Sequence, residues 1–395
     1  VYFMQNKNIL IIGGGASGLM CALTCVLNNK SVCVLEGGFK VGKKILVSGN
    51  GRCNLTNKNI LKNCYNNYPE QLNVFNNTKT LKLFYSLGLE TYFDEEGRCY
   101  PISNHSKSVL DVILNKLDNP LCEIITNCEV KNIEKIGDHF IVKTSNETFK
   151  ANKVVLATGG NSVLPILKSL NIPHKTFKPS LCGLKTTQNL KQLNGIRVNA
   201  LVSLLKGNKV EHSEVGEVLF KEDGLSGICI FNISAKMNWL NLENAKVVVN
   251  LFPNLTFEEL TKKLKTRVNN LSNYATHKFF DGMLQPALAN EIFFRTKINT
   301  NKIIKSLSDE NLAQLAKILQ SLEFNVCGAQ NNFQVFSGGI ELSSVTKTLE
   351  CKTVKNLFFC GEILDVDGMC GGYNLQWAWT SGHIVGENLW LKLKI

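Results

Sequence analysis

The order of apolar and polar positions near the N-terminus predicts a β-α-β unit. Residues 8–12 form a short apolar run that ends at glycines, residues 16–27 have the apolar content of a buried helix, and residues 31–35 form a second short run. Short apolar runs bounded by turn residues are typical of buried strands in a parallel sheet. Two later runs are interpreted in the same way, residues 154–157 and residues 357–360.

The rest of the chain divides into helical and strand-like parts. A capping box at Thr256 and Glu259 predicts a helix, Ser308 caps another, and Thr78 and Gly88 are expected to cap a third at its two ends. Apolar residues follow at helical spacing in each case. The remaining predicted elements are a helix over residues 106–117, an antiparallel meander over 123–149, a strand-like stretch over 184–233 and a closing helix from Asn374.

A glycine motif of the form G-x-G-x-x-G lies between the first predicted strand and the first helix, and an acid ends the next strand. In dinucleotide-binding folds these glycines permit a tight turn, close approach of the backbone to a pyrophosphate and helix–strand packing, while the acid binds ribose hydroxyls. The helix N-terminus also attracts the pyrophosphate. The alternative is a turn that binds no ligand. The predicted contacts are Gly13, Gly15, Ala16, Ser17, Gly18 and Glu36.

The glycine-broken loop over residues 42–57 follows directly and carries three cations with several amide and hydroxyl donors. Because glycine lets backbone N–H groups approach a ligand, such a loop can lie against a flavin and its phosphates. An ordinary surface loop is the alternative. The predicted cofactor contacts in this loop are Lys43, Lys44, Ser48, Gly49, Gly51, Arg52, Cys53 and Asn54.

The C-terminal region supplies a second half-site. A strand that ends in Gly-Glu can place a carboxylate near a ribityl chain, and a Gly-Gly turn that opens a helix can direct N–H donors at the N1–C2=O side of a flavin. A plain helix cap is the alternative for the Gly-Gly pair. Together the two half-sites favour FAD over NAD. The predicted contacts here are Gly361, Glu362, Asp365, Gly371, Gly372, Tyr373, Asn374 and Leu375, joined by Val130, Thr158, Gly159 and Gly160.

Three of these residues are candidates for catalysis: Cys53, Asn54 and Tyr373. For Cys53 we favour a packing role over a role as proton donor, although it lies inside the loop expected beside the flavin.

The charge of the chain is uneven. The formal net charge is +12, and ten cations occur between residues 150 and 209 without one acid. Such a field attracts polyanions, so an RNA-facing surface and a lysine-rich solvated surface both remain open. The cations of this stretch are Lys150, Lys153, Lys168, Lys175, Lys178, Lys185, Lys191, Arg197, Lys206 and Lys209, and a second cluster is Lys262, Lys263, Lys265 and Arg267.

Cysteine and histidine usage favours a cytoplasmic protein without a metal. The fourteen cysteines form no CxxC pair, and the six histidines are isolated from one another and from the cysteines. Scattered thiols are typical of a reducing compartment, and metal-ligand spacing is missing. Because no run of about 20 unbroken apolar residues occurs, we expect no transmembrane helix. Nothing in the sequence identifies a protein partner.

Several motifs closely resemble those of the BaiN/YhiN-like flavoproteins, also described as an aminoacetone-oxidase-type FAD-binding family. The resemblance covers essentially the whole chain from Met4, and one departure is Cys99, where many members carry an aromatic residue. An aromatic contact expected there is therefore in doubt. The matching motifs are residues 49–57, 97–103, 219–220, 224–227, 361–362 and 371–378.

The resemblance implies an α/β fold with a glutathione-reductase-type Rossmann FAD domain, an inserted β-barrel-like domain and a small helical domain. On this basis we assign residues 4–185 and 335–395 to the FAD-binding domain. We assign 186–250 and 324–334 to the β-rich insert, and 251–323 to the helical insert. The family also implies reduction of unsaturated bile-acid intermediates, or of uridine to dihydrouridine in large-subunit ribosomal RNA.

Three functions remain open at this point. The first is an enzyme in which NAD(P)H reduces FAD and the flavin passes hydride to an activated C=C bond, with uridine in ribosomal RNA as the candidate substrate. The second is a reductase or oxidase of a small molecule such as a bile-acid-like enone or an amino ketone. The third is a flavin-binding regulatory protein without turnover. Because no second G-x-G-x-x-G motif follows, we expect NAD(P)H to bind only transiently at the flavin face.

Overall fold

The computed structural model describes residues 4–390 and divides into two compact units. One unit comprises residues 4–178 and 335–390, and the other comprises residues 179–334. Each unit has its own apolar core. A mixed α/β fold with a Rossmann-type parallel sheet, an additional antiparallel sheet and a helical part confirms the predicted fold class. The finer assignment of three domains stays a prediction.

The strands are bounded as follows: β1 Met4–Ile12, β2 Val32–Leu35, β3 Thr56–Asn57, β4 Thr91–Phe93, β5 Arg98–Pro101, β6 Cys122–Ile125, β7 Val130–Ile136, β8 His139–Thr144, β9 Thr148–Leu156, β10 Lys175–Thr186, β11 Arg197–Lys206, β12 Lys209–Lys221, β13 Gly224–Ser226, β14 Lys246–Asn250, β15 Leu322–Gly339 and β16 Leu357–Phe359.

The α-helices are bounded as follows: α1 Ala16–Leu27, α2 Lys43–Val47, α3 Gln71–Val74, α4 Asn77–Ser86, α5 Ser106–Leu117, α6 Leu164–Ser169, α7 Ile228–Trp239, α8 Phe257–Asn270, α9 Pro286–Thr296, α10 Asp309–Gln320 and α11 Tyr373–Asn388. No helix within residues 4–390 is long and apolar enough to cross a membrane.

The first unit is built on a twisted sheet with the strand order β6-β2-β1-β9-β8-β7. Strands β6, β2, β1 and β9 are parallel, whereas β7 and β8 are antiparallel to their neighbours. The first half of β9 pairs with β8 and its second half pairs with β16. The carboxyl ends of β1, β9 and β16 therefore meet at one edge of the sheet, where ligands bind in open α/β folds.

The predicted meander over 123–149 is wrong in its first strand. Ile124 and Ile125 belong to β6, which pairs in parallel with β2 at the edge of the Rossmann-type sheet. A four-residue run carries no information about strand direction, and direction is decided by the connection through α5.

The second unit contains a closed barrel with the order β10-β13-β12-β11-β14-β15. The strand-like stretch predicted over 184–233 is wrong at its end, because Ile228–Trp239 forms helix α7. Six residues of α7 are buried, so packing outweighs the strand preference of its isoleucines. The capping box at Thr256 and Glu259 is confirmed at the start of α8, and Ser308 caps α10.

The cap predicted at Thr78 is also wrong. The side chain of Asn76 accepts a hydrogen bond from the Lys79 amide, so α4 begins one residue before Thr78. Asparagine is among the strongest N-cap residues, which explains why it outcompetes the threonine two positions later. Gly88 follows the helix with φ +91°, as predicted.

Candidate functional site

In the turn between β1 and α1, packing within the protein requires glycine at two positions but not at the third. A Cβ atom on Gly13 would lie 2.5 Å from the Ala157 carbonyl oxygen, and one on Gly18 would lie 2.0 Å from the Gly13 carbonyl oxygen. Gly15 is different, because a Cβ there would meet no heavy atom within 4 Å in residues 4–390. Open space therefore faces Gly15 at the N-terminus of α1, beside Ala16 in its first turn.

Glu36 lies at the carboxyl end of β2 and ties the glycine turn to the next loop. One carboxylate oxygen accepts the Gly14 amide at 2.9 Å and the other accepts the Gly38 amide at 2.8 Å. The Cys128 amide donates to the Glu36 carbonyl at 2.9 Å, so the segment that leads into Val130 lies beside this strand end. Each Glu36 oxygen keeps a second lone pair for a further donor.

The end of β9 contains a buried hydroxyl without a partner. The Ala157 amide donates to the Ile12 carbonyl at 2.8 Å, and a Cβ on Gly13 would lie 2.9 Å from the Thr158 amide nitrogen. Thr158 Oγ1 is buried and makes no hydrogen bond within residues 4–390. An unsatisfied buried hydroxyl is unfavourable by about 1–3 kcal/mol, so this group is suited to a ligand.

The C-terminal half-site lies directly against the first helix. Ser17 Oγ donates to the Cys360 carbonyl at 3.3 Å, although the two residues are 343 positions apart. The Gly361 amide donates to Ser381 Oγ at 2.8 Å, and Trp377 Nε1 donates to the Gly361 carbonyl at 3.1 Å. The structure therefore brings together the two halves that the sequence placed at opposite ends of the chain.

Glu362 and Lys44 link the end of β16 to α2. Lys44 Nζ lies 2.6 Å from Glu362 Oε2, and the other carboxylate oxygen accepts the Phe336 amide at 2.7 Å. A Cβ on Gly159 would lie 3.8 Å from the Glu362 carboxylate and 4.0 Å from Lys44 Nζ. A Cβ on Gly160 would overlap the Phe336 ring. Lys43, one residue before Lys44, instead lies over the Phe39 ring, with Nζ 4.7 Å from its centroid.

Asp365 is already engaged by the protein. Its buried carboxylate accepts from Asn66 at 2.9 Å and from Asn67 at 3.1 Å, and Lys175 Nζ lies 2.8 Å away. Lys175 also pairs with Glu341 at 3.0 Å. The predicted contact of Asp365 with a cofactor therefore competes with three donors, and it stays a prediction.

The Gly-Gly turn before α11 packs on β3. A Cβ on Gly372, where φ is +94°, would lie 2.5 Å from the Thr56 carbonyl oxygen. In its bonded amide orientation, Asn54 donates to the Thr56 carbonyl at 3.0 Å and accepts the Gly372 amide at 3.1 Å. Asn57 Nδ2 donates to the Gly371 carbonyl at 2.9 Å. Asn54 thus holds the turn through the Gly372 amide, and a flavin would have to compete with Asn54 for this donor.

Asn374 and Leu375 form the first turn of α11 after this pair. Asn374 holds its own loop closed, since its side chain accepts the Gly368 amide at 2.9 Å and donates to the Gly368 carbonyl at 2.8 Å. Leu375 is half-buried and packs against the core of the first unit.

The loop over residues 48–54 has an unusual backbone. Gly49, Asn50, Gly51 and Cys53 all have φ between +56° and +81°. Ser48 Oγ donates to the Ile45 carbonyl at 2.8 Å, and its own carbonyl accepts the Cys53 amide at 3.0 Å. The Arg52 guanidinium lies 4.4 Å from the centroid of the Tyr100 ring. Glycine at two of the left-handed positions explains why the loop can turn so tightly.

The side chains of Cys53 and Tyr373 both favour their protonated forms. Cys53 is fully buried, and this burial raises the pKa of its thiol to about 12. Burial also raises the pKa of the half-buried Tyr373 phenol, and a hydrogen bond with Cys64 raises it further. The Tyr65 hydroxyl donates to the Tyr373 carbonyl at 3.0 Å. At neutral pH the Tyr373 phenol therefore holds its proton.

Sequence reasoning missed the residues that join the two half-sites. Gln376 is fully buried in α11 and bonds Thr56, Thr80 and Thr380. Ser381 was also missed. The sequence did contain a signal for these residues, because each is a polar residue on the apolar side of the closing helix. A buried polar side chain needs specific hydrogen-bond partners.

The basic stretch over residues 150–209 is partly neutralised and is divided between the two units. Lys175 pairs with two carboxylates, Arg197 pairs with Glu217, and Lys209 pairs with Glu211 at 3.0 Å. Their acids lie outside the stretch, where a count along the sequence does not see them. The stretch is therefore less basic in the folded protein than it is in the sequence.

A match to a protein-family model decides the family. The model described as the HI0933-like protein Rossmann domain matches residues 7–388. The chain belongs to the HI0933-like family. This family of Rossmann-type flavoproteins includes the BaiN/YhiN type, so the predicted resemblance is confirmed. The protein is an FAD-dependent oxidoreductase, which also confirms the predicted enzyme class.

Three curated relatives of the HI0933-like chain carry two different names. A 3-dehydro-bile acid delta(4,6)-reductase from Clostridium scindens is 30% identical, over 96% of this chain and 98% of its own length. A ribosomal RNA dihydrouridine synthase from Haemophilus influenzae is 28% identical, over 96% of this chain and 97% of its own length. A second ribosomal RNA dihydrouridine synthase, from Escherichia coli, is 25% identical over 98% of both chains.

A solved structure supports the fold of this HI0933-like protein. The 3-ketosteroid-delta4-(5alpha)-dehydrogenase from Rhodococcus jostii RHA1, in complex with 4-androstene-3,17-dione, has a TM-score of 0.50 and 12% identity. The match covers 98% of this chain and 97% of that one. At this identity the likeness concerns the fold alone.

Proposed function

We propose that this protein reduces a carbon–carbon double bond conjugated to a carbonyl group, with uridine in ribosomal RNA as the candidate substrate and NAD(P)H as the electron donor. The names of the relatives support the bond type. A 3-dehydro-bile acid has a 3-oxo group, and its delta(4,6) double bonds can conjugate with it. Dihydrouridine arises when the C5=C6 bond of uridine, conjugated to the C4 carbonyl, is reduced.

The structural observation that supports the flavin part of this proposal is the arrangement at the sheet edge. Gly15 faces open space at a helix N-terminus, and next to the same turn the buried Thr158 hydroxyl has no partner within the described residues. A pyrophosphate accepts N–H donors at such a helix end, and a further ligand oxygen or nitrogen can satisfy Thr158. These features fit a dinucleotide, and the adjacent Gly361–Glu362 segment extends the site toward the flavin end.

FAD supplies hydride transfer when it is bound. The chain would hold it through the glycine turn, through the free lone pairs of Glu36 on the ribose, and through the backbone of the 371–372 turn. Of the three predicted catalytic residues, we infer that Tyr373 is the proton donor, because its phenol is half-buried and stays protonated. The fully buried Cys53 thiol instead packs inside the loop, and Asn54 orients Gly372.

A small-molecule enone is the second candidate substrate. It is favoured by the bile-acid reductase, which is slightly more similar to this chain than the ribosomal RNA enzymes are. The neutralisation of Lys175, Arg197 and Lys209 by carboxylates also reduces the weight of the basic stretch as an indicator of RNA.

The test begins with anaerobic titration of the FAD-loaded protein with NADH and NADPH, followed by the flavin absorbance. The reduced protein is then mixed either with large-subunit ribosomal RNA from a deletion strain or with a 3-oxo-delta4 steroid. Ribosomal RNA from the parent and deletion strains is also mapped for dihydrouridine. The proposed function predicts rapid reoxidation by the RNA and loss of one dihydrouridine in the deletion strain.

Two other outcomes separate the alternatives. Reoxidation by the steroid alone, with an unchanged dihydrouridine map, would support the small-molecule enzyme and reject the RNA substrate. If neither NADH nor NADPH reduces the flavin, NAD(P)H is rejected as the electron donor. The protein would then be reduced chemically and mixed with the same substrates, which tests the bond type independently of the donor.

A further inference from the structure

A groove in the helical part of the second unit is lined in part by Lys263 and Arg267 of the second basic cluster. It has a volume of about 970 Å³ and lies between α8 and the segment over residues 271–283. Its lining includes three cations and one carboxylate. The residues that matter for its chemistry are Lys263, Arg267, Asn270, Tyr274, Lys278 and Asp281.

Helix α8 forms one wall of this groove. Lys263, Thr266, Arg267 and Asn270 have the spacing i, i+3, i+4 and i+7, which places them on one face of the helix. Leu260 and Leu264 of α8 are buried in the core, so the groove face runs beside the packed face. Lys263 and Arg267 are therefore held on a helix, whereas Lys278 lies in the segment that forms the other wall.

Arg267 fixes the opposite wall. Its guanidinium donates through Nε to the Phe279 carbonyl and through Nη2 to the Asp281 carbonyl. Phe279 and the neighbouring Phe280 are buried, which anchors this segment to the core. Because the arginine bonds backbone carbonyls, it joins the two walls and keeps its positive charge. The groove is thus formed before any ligand binds.

Two ammonium groups of the groove remain available for a ligand. Neither Lys263 nor Lys278 has a carboxylate within 4.0 Å in residues 4–390, and both side chains are exposed. Lys265, on the same helix but outside the groove, pairs instead with Asp309 at 2.9 Å. Asp281 is the one carboxylate of the lining, and beside Lys263, Arg267 and Lys278 it leaves the groove with a formal net charge of +2.

An aromatic side chain accompanies these cations. Tyr274 is 54% exposed, and Lys278 Nζ lies 5.9 Å from the centroid of its ring. Exposed aromatic rings beside cations are the usual elements of single-strand nucleic-acid sites, where bases stack on rings and phosphates contact lysine or arginine. A simple anion site would have no use for the ring.

We propose that this groove binds an unpaired RNA segment, with its phosphates on Lys263 and Lys278 and one base stacked on Tyr274. The inference rests on the proposed function with an RNA substrate, and it adds a docking surface for nucleotides outside the flavin site. An unpaired segment fits because stacked bases in a duplex do not present their faces to a side chain. Arg267 holds the walls and contributes charge.

The experiment uses the FAD-loaded protein and a fluorescein-labelled 12-nucleotide oligouridylate, with fluorescence anisotropy measured between about 50 and 200 mM KCl, the range over which phosphate contacts lose affinity. The test variants are K263A/K278A and Y274A. The matched control is K317A, because Lys317 is an exposed lysine of α10 outside the groove. Thermal melting checks that every variant folds.

We expect K263A/K278A to bind the oligouridylate about tenfold more weakly at low salt. The slope of log K against log salt should become shallower by about 1.4, since each lost phosphate contact on a single strand accounts for about 0.7. Y274A should weaken binding about tenfold with an unchanged slope, because stacking is insensitive to salt. K317A should bind within about twofold of the parent protein.

Equal binding by the parent protein and K263A/K278A would overturn the proposal, as would equal affinity for an oligoglutamate peptide of the same charge. Failure of the proposed function is a different result. If the deletion strain keeps its dihydrouridine but the groove variants still lose oligouridylate binding, the groove stands and the substrate assignment falls. If dihydrouridine is lost but the groove variants bind normally, the groove proposal falls.

Discussion

At the scale of single residues, glycine occurs at the three positions of the first turn for different reasons. Gly13 and Gly18 are required by neighbouring backbone oxygens, whereas Gly15 faces open space. Thr158 gives a second sign of a ligand, because its buried hydroxyl has no partner in the part of the chain that the structure describes. Where neither packing nor hydrogen bonding within the protein accounts for a residue, a bound molecule can supply the missing contact. Both features lie at the carboxyl edge of the parallel sheet.

Substituting these glycines should separate folding from cofactor binding. G18A should lower the free energy of unfolding by about 3 kcal/mol, since its Cβ would collide with the Gly13 carbonyl. G15A should lower that of the FAD-free protein by about 1 kcal/mol at most, through the N-cap preference alone, yet it should abolish or strongly weaken FAD binding. Urea denaturation and flavin absorbance measure the two effects. Normal FAD content in G15A would contradict the assignment.

The Thr158 hydroxyl gives a second residue-level prediction. T158V should leave the melting temperature of the FAD-free protein unchanged or raised, because it removes an unsatisfied polar group. It should weaken FAD binding about five- to tenfold through the loss of one hydrogen bond. The control is T80V, because Thr80 Oγ1 accepts from Gln376 Nε2 at 2.9 Å and its loss should destabilise the FAD-free protein. Unaltered FAD affinity in T158V would show that its hydroxyl does not face the cofactor.

At the scale of elements, the closing helix α11 joins parts of the first unit that are far apart in sequence. It packs along α1, where a Cβ on Gly382 would lie 2.3 Å from the Ser17 carbonyl oxygen. It also reaches β3 and α4 through Gln376. The start of the helix was predicted at Asn374, one residue from the observed start at Tyr373. The partners of Gln376 were not, because they lie some 300 positions away along the chain.

Removal of the Gln376 amide should destabilise the first unit. Q376L leaves the Thr56 hydroxyl and the Phe75 carbonyl without this partner, and we expect a loss of about 3 kcal/mol in the free energy of unfolding. The control is Q192L, because Gln192 is exposed and its replacement should change stability by about 0.5 kcal/mol or less. Chemical denaturation followed by flavin fluorescence measures the loss. Equal midpoints for the two variants would contradict this network.

At the scale of the whole molecule, the chain forms two units with separate cores, and none of its fourteen cysteines forms a disulfide within residues 4–390. Ten of the cysteines are buried, three are partly exposed and only Cys327 is exposed in the described part of the chain. Burial raises the pKa of the thiols of Cys33, Cys53 and Cys360 to about 12 in each case. Most of the thiols therefore serve packing and not redox chemistry.

Thiol labelling and the pH dependence of the free energy of unfolding test this distribution of thiols. N-ethylmaleimide at pH 8 should modify Cys327 first and leave Cys53 unmodified until the protein unfolds, as read by peptide mass spectrometry. Because the pKa of a buried thiol is raised on folding, its contribution to stability is complete below the unfolded pKa and falls as pH rises toward 12. The slope is about 1.4 kcal/mol per pH unit for each such thiol. Rapid labelling of Cys53 in the native protein would place it at an accessible site instead.

Much of the fold and part of the candidate site could be read from the sequence. The glycine spacing, the terminal acid and the apolar runs are local, so they predicted β1, α1, β2 and the ends of β9 and β16. The motifs also led to the correct family. Local patterns failed for β6 and α7, because strand direction and helix formation there depend on neighbours distant in the chain.

The sequence by itself determined the glycine turn after β1 and the helix terminus that follows it, since turn conformation and helix termini depend on a few adjacent residues. Only the tertiary structure decided that Ser17 meets Cys360, that the Thr158 hydroxyl lacks a partner within residues 4–390 and that Asp365 is already engaged. It also decided which cations pair with carboxylates and which do not within the described residues. The physical reason is that burial, pairing and close approach are set by contacts across the chain, and no local pattern contains them.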